Sequence, residues 1–122
     1  MPRSVLDEMS IHAAVRGAVE SWQQAIVQEV KSAVAAHAVV VVGMAINPFV
    51  KKARKALDDA GVAHHYLEYG SYLTMWRERN ALKMWSGWPT LPIVFARGML
   101  VGGATDLNKL IVSGELKTLL SA

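Results

Sequence analysis

Between residues 4 and 37, the apolar residues Ile11, Val15, Ala18, Trp22, Ile26, Val30 and Val34 recur every three or four positions. That spacing lines one side of a 3.6-residue helix. It predicts an amphipathic helical segment capped by Ser4 or Ser10, and a break near Glu20–Ser21 would divide it into two shorter helices. Trp22 lies in the stripe and is expected at a core or an interface. The pattern then changes. Residues 38–44, AVVVVGM, form a continuous apolar run rich in β-branched side chains, as expected of a strand buried on both faces. Asn47-Pro48 closes the next loop and opens a helix, where Pro is tolerated because its missing N–H would be unpaired in the first turn anyway. Over residues 48–60 the period places Phe49, Val50, Ala53 and Leu57 inward, and Gly61 supplies the stop.

Val62–Glu68 reads as a second strand, weakened by His64-His65. Gly70-Ser71 opens a helix that runs to about Trp85 and ends at Ser86-Gly87. Ile93–Ala96 and Met99–Val101 are strands around an Arg97-Gly98 turn. After Gly102-Gly103, Ala104 or Thr105 starts a last helix with Leu107, Leu110 and Ile111 inward. Gly114 breaks it, and Glu115–Leu120 adds a turn. The order α–β–α–β–α–β–β–α predicts an α/β protein whose first two strands are parallel through a right-handed crossover and whose last two are antiparallel. This is the order of the thioredoxin fold, a four-stranded mixed sheet flanked by helices, with an extra N-terminal helical segment. Residues 1–37 are expected as a helical extension packed on or beside the domain, and residues 38–122 as the domain itself.

Composition narrows the function. The 122 residues are 52% hydrophobic and 19% charged, enough for one domain with its own core. No apolar run approaches the ~20 residues of a membrane span. The N-terminus MPRSVLDEMS lacks a basic-then-apolar layout, so a cytoplasmic location without a membrane partner is expected. The net charge of +3 is mild. Its cations cluster at Lys51, Lys52, Arg54 and Lys55 and again at Arg77, Arg79 and Lys83, which reads as solvated helix faces rather than a nucleic-acid footprint. Adjacent His64 and His65 on a strand point to opposite faces and His12 and His37 are distant, so no metal site is expected. Trp76, Trp85 and Trp88 with Tyr66, Tyr69 and Tyr72 read as core aromatics, and the methionines as core filler. The chain has no Cys, which excludes disulfides, thiolate metal sites and cysteine nucleophiles of its own.

Four segments resemble glutaredoxins at matching spacings. Val39–Lys55, VVVVGMAINPFVKKARK, matches the strand and helix start that carry the family's C-P-F/Y-C or C-G-F-S motif. Trp85–Phe95, WSGWPTLPIVF, is similar to the W-P-T-x-P stretch of monothiol glutaredoxins. Arg97–Asp106, RGMLVGGATD, is like the family's G-x-x-x-G-G hairpin, and Ser113-Gly114-Glu115-Leu116 like its terminal S/N-G-E-L. The resemblance covers about residues 38–119. The departure lies in the reacting groups: Asn47 stands in the slot of the nucleophilic Cys and Val50 in that of the second Cys or Ser. Thiol–disulfide exchange requires a thiolate, so these degenerate positions carry no thioltransferase chemistry, and no residue is assigned as catalytic. Asn47 is expected instead as the cap of the helix at Pro48.

What the resemblance still implies is a glutathione platform. The residue before a cis proline, here Leu91 before Pro92, would offer its backbone to the cysteinyl part. The helix start at Gly103, Ala104, Thr105 and Asp106 would take the γ-glutamyl end, since unpaired N–H groups and the helix dipole favour an anion there. Capping is the ordinary role of Thr105 and Asp106 and is compatible with this. Arg79 would meet the glycyl carboxylate, whereas the family's upstream Lys is replaced by Met44. The expected function is therefore a cysteine-less binding or regulatory module for glutathione or a similar ligand in redox homeostasis, with no cofactor required. Two alternatives stand beside it. One is a glutathione transferase-like enzyme that uses the ligand's own thiol. The other is a structural domain in which the N-terminal helix forms a homodimer or docks a protein partner.

Overall fold

The computed structural model describes residues 3–121. The helical leader is divided. After a 3₁₀ turn at Glu8–Ser10, α1 spans Ala13–Ser21 and α2 spans Gln24–Ala36. The break falls at Trp22–Gln23, where Gln23 adopts φ 48°. Neither serine caps α1. His12 does so, its Nδ1 accepting from the Ala14 N–H at 3.0 Å. The apolar stripe changes environment along the leader: Ile26, Val30 and Ala33 of α2 are buried, while Val15 and Trp22 are about half exposed.

The four strands are β1 (Val39–Gly43), β2 (His65–Glu68), β3 (Ile93–Ala96) and β4 (Met99–Gly102), in the spatial order β2-β1-β3-β4. β1 pairs parallel with β2 and antiparallel with β3, and β3 pairs antiparallel with β4. All of β1 is buried, as its unbroken valine run requires. Val40 and Val42 pack with Ile26, Val30 and Leu82 on one face, whereas Val39 and Val41 pack with Ala53, Leu57, Leu107 and Leu116 on the other. The first face is covered by α2 and α4 (Trp76–Ser86), the second by α3 (Pro48–Asp59), α5 (Ala104–Ser113) and α6 (Glu115–Ser121).

Several elements differ from the expectation for local reasons. β2 begins at His65 rather than Val62, because the Val62 N–H is still bonded to the Leu57 carbonyl at 2.9 Å. α4 begins at Trp76 rather than Gly70. Residues 71–74 form a turn in which the Ser71 N–H donates to Thr74 Oγ1 at 3.0 Å and the Thr74 N–H to the Ser71 carbonyl at 3.3 Å. Such side-chain bonds compete with the first helical turn. Phe49 is 54% exposed instead of inward, and Tyr72 and Trp76 are exposed as well. Among the described methionines only Met44 is buried, so core filling is not their common role. Met1 lies outside the described residues.

Candidate functional site

The carboxyl ends of β1 and β2 lie side by side, with Gly43 opposite Glu68. The Tyr69 N–H donates to the Gly43 carbonyl at 2.9 Å and the Ala45 N–H to the Gly70 carbonyl at 2.8 Å, joining the two loops that leave the sheet there. A Cβ at Gly43 would stand 2.6 Å from Val50 Cγ1, so the missing side chain lets the start of α3 close onto the strand end. Asn47 caps that helix. Its Oδ1 accepts from the Phe49 N–H at 2.9 Å and the Val50 N–H at 3.1 Å, and the residue is only 9% exposed. The carboxamide oxygen is thereby committed to the helix, while Nδ2 has no hydrogen-bond partner among the described residues. Just before it, Ile46 holds φ 61° with a 73% exposed side chain. A β-branched residue in that region costs about 1–2 kcal/mol, and no sequence signal announces it.

The Leu91-Pro92 peptide is cis. Ile93 pairs with Val42, which sets Leu91-Pro92 beside the strand end that leads to Asn47. Leu91 and Pro92 are both buried. The start of α5 lies next to them: a Cβ at Gly103 would stand 3.5 Å from the Pro92 carbonyl oxygen and 3.3 Å from Trp88 Nε1. The Trp88 Nε1–H is buried with no hydrogen-bond partner among the described residues. Asp106 reaches back so that its Oδ2 accepts from the Gly103 N–H at 3.2 Å. Gly102, at φ 105°, makes this possible, since a Cβ there would stand 2.8 Å from Asp106 Cβ and Oδ2. The first bond within α5 runs from the Leu107 N–H to the Gly103 carbonyl at 2.9 Å. The N–H groups of Ala104, Thr105 and Asp106 therefore have no acceptor in the helix. The structure thus brings Leu91, Pro92, Gly103, Ala104, Thr105 and Asp106 to one end of the sheet, beside the Asn47–Val50 helix start.

Arg79 is placed differently. It is 7% exposed, and its Nη1 donates to the Tyr69 carbonyl at 2.9 Å and also to the Thr74 carbonyl. This guanidinium nitrogen braces the loop between β2 and α4. The same loop is tied to α2 through Tyr69, whose Oη donates to Glu29 Oε1 at 2.7 Å. Burial first, then that hydrogen bond and the Glu29 charge, hold the Tyr69 hydroxyl well above the ordinary phenol range. Sequence patterning gave no sign of this contact between residues 40 positions apart. The two adjacent histidines part company: the His65 ring stacks on His37 with centroids 4.1 Å apart, while His64 Nδ1 lies 3.9 Å from Asp58 Oδ1.

A β2-β1-β3-β4 mixed sheet flanked by helices, with a cis proline leading into β3, defines a thioredoxin-fold protein. No family model matches the chain. The chain is 44% identical over 98 residues to a glutaredoxin-like protein of Dictyostelium discoideum, covering 80% of each. It is 33% identical over 84 residues to glutaredoxin 1 of Rickettsia prowazekii, covering 69% of this chain and 87% of that one. In three dimensions it resembles a buckwheat glutaredoxin solved in complex with glutathione. That match has a TM-score of 0.72 at 22% identity and covers 84% of this chain and 93% of that one. The chain belongs to the glutaredoxin family, as a member without cysteine. No helix among the described residues is long and apolar enough to cross a membrane.

Proposed function

We propose that this protein is a non-catalytic binding or regulatory module that holds glutathione, or a similar small anionic thiol, in redox homeostasis. The observation that carries the reading is the adjacency of the cis Leu91-Pro92 peptide and the open start of α5. Leu91 would offer its backbone to the cysteinyl unit, with Pro92 fixing its direction. Gly103, Ala104 and Thr105 would receive the γ-glutamyl carboxylate at the positive end of α5, and Asp106 its ammonium group. Arg79 supports the reading less directly, because its Nη1 is already engaged by loop carbonyls. The buckwheat complex supports the same ligand class by likeness of fold. Calorimetric titration of the full chain with reduced and oxidised glutathione tests the reading. Binding in the micromolar to low-millimolar range, weakened by Asp106→Ala without loss of folding, is the expected result. No heat with either form would remove the ligand and leave the family relation as one of fold alone.

A glutathione transferase-like activity is favoured by one specific feature, the unpartnered Asn47 Nδ2 at a helix start. That amide would donate to the thiolate of bound glutathione, and the positive end of α3 would favour the charge. Asn47→Asp keeps a capping oxygen but replaces the donor by an anion. Conjugation of 1-chloro-2,4-dinitrobenzene by the native chain, abolished in Asn47→Asp at unchanged stability, would establish this reading. Here the sulfur–aryl bond forms as chloride leaves. No turnover above the uncatalysed rate removes it. The half-exposed Val15, Val19 and Trp22 of the leader favour self-association or a protein partner on that side, and sedimentation of the full chain reads the homodimer directly.

A further inference from the structure

A second surface lies at the same end of the sheet and does not depend on whether glutathione binds. Ile46 and Phe49 at the start of α3 are 73% and 54% exposed, and Leu73 and Trp76 before and at the start of α4 are 91% and 55% exposed. The hydrogen bonds from Ala45 to Gly70 and from Tyr69 to Gly43 join the two loops that carry them. Ile46 and Met75, two of the non-glycine residues with left-handed backbone, both belong to these loops at φ 61° and 56°. Exposed apolar side chains on two loops that are hydrogen-bonded to each other, on strained backbone, point to an interaction surface.

Cations outnumber acids around this rim. Lys51, Lys52 and Arg77 have no ion pair among the described residues, in contrast to Lys55, which is held by Asp59 at 2.8 Å. Lys52 Nζ lies 5.5 Å from the centroid of Phe49 and Arg77 Cζ 5.2 Å from that of Trp76, so each cation is presented together with an aromatic ring. Of the neighbouring acids, Glu78 is half-buried in the first turn of α4, and Glu68 is exposed and accepts from Tyr66 Oη at 3.0 Å. Apolar contacts flanked by unpaired cations complement a chain that alternates carboxylates with large apolar side chains. With no thiol in the slot, contact there is non-covalent. We infer that the rim formed by Ile46, Phe49, Leu73 and Trp76, with Lys51, Lys52 and Arg77, docks an acidic segment of a partner protein that carries aromatic or aliphatic side chains.

The test uses the full chain and two synthetic peptides of equal length. One alternates Asp and Glu with Leu and a single Trp, and the other has Asn and Gln in place of the acids. The acidic peptide is expected to bind at least about tenfold more tightly, with the gap narrowing as salt is raised. Its amide-shift changes should fall on residues 45–52 and 70–77. Lys52→Glu combined with Arg77→Glu should reverse the preference between the peptides. Leu73→Ser, at a position too exposed to affect folding, should weaken the acidic peptide severalfold. Equal affinity for the two peptides, no binding of either up to about 1 mM, or shifts centred on the leader helices would overturn the inference. So would co-sedimentation with phosphatidylserine vesicles in the absence of any peptide preference, which would assign the rim to a lipid surface.

Discussion

Arg79 Nη1 donates at 2.9 Å to the carbonyl of Tyr69, reaching from α4 into the loop that follows β2. The same nitrogen also serves the Thr74 carbonyl, and no carboxylate pairs with this buried cation among the described residues. A charged donor shared by two carbonyls contributes more than a neutral one, so the bond fixes residues 69–74, the loop whose Tyr69 and Gly70 bond the β1 end at Gly43 and Ala45.

Replacing Arg79 by Ala should therefore cost about 2–4 kcal/mol in urea unfolding, because it removes charge-assisted bonds and leaves two carbonyls without their donor. Arg79→Lys should recover part of the loss. A loss below about 0.5 kcal/mol for Arg79→Ala would show that the loop is held by other contacts.

Asn47→Cys should create a reactive thiol. The Phe49 and Val50 N–H groups that now bond Asn47 Oδ1 would face the sulfur at a helix start, a setting that lowers a thiol below its usual value of about 8.5. Iodoacetamide alkylation followed against pH reads this directly. A thiol titrating at or above about 8.5 would mean that the slot no longer favours an anion.

Alkaline pH should destabilise the fold through Tyr66 and Tyr69. Burial, then the hydrogen bond to Glu68 and its charge, push Tyr66 from 10.0 up to about 12, against a smaller opposing effect of Arg54. Burial and Glu29 raise Tyr69 as well. The folded state thus holds these protons more tightly than the unfolded chain does. The stabilisation is complete below about pH 10 and is lost as pH rises through the folded values. Urea midpoints should fall as pH rises from about 10 to about 12, and Tyr66→Phe should flatten part of that decline. A midpoint independent of pH in this window would contradict the assignment.

The start of α5 should tolerate no side chain at position 102. Gly102→Ala adds a Cβ that would stand 2.8 Å from Asp106 and asks an L-residue to hold φ 105°, costing at least about 1 kcal/mol. Because Asp106 would have to move, ligand binding at Gly103–Asp106 should weaken beyond the stability loss. Unchanged melting and unchanged glutathione affinity would separate Gly102 from the site.

The fold was largely legible because its strongest signals are periodic or conformational. The valine run of β1 could only be a central strand, and Asn47-Pro48, Gly61 and Gly114 mark helix ends by the geometry they permit. The cis Leu91-Pro92 peptide was expected from the likeness of the WPT stretch before it to glutaredoxins. What stayed hidden depends on contacts distant in sequence or on backbone states without a residue signature. The period of α3 gave no hint that Phe49 would be exposed, because at a helix start the loop, not the stripe, decides which face meets the sheet. Arg79 read as a ligand residue from its place before Trp88, and only the folded loop shows its bonds to Tyr69 and Thr74. Ile46 and Met75 carry left-handed backbone that glycine or asparagine would normally announce.

The central claim is that the platform at Leu91 and the start of α5 holds glutathione without a cysteine. Amide-resolved NMR titration of the full chain with reduced glutathione tests it most directly. The account predicts saturable shifts at Leu91, Gly103, Ala104, Thr105 and Asp106, with residues of α6 unmoved. Resonances of these five that stay fixed at millimolar ligand, or shifts confined to surface lysines, would contradict it.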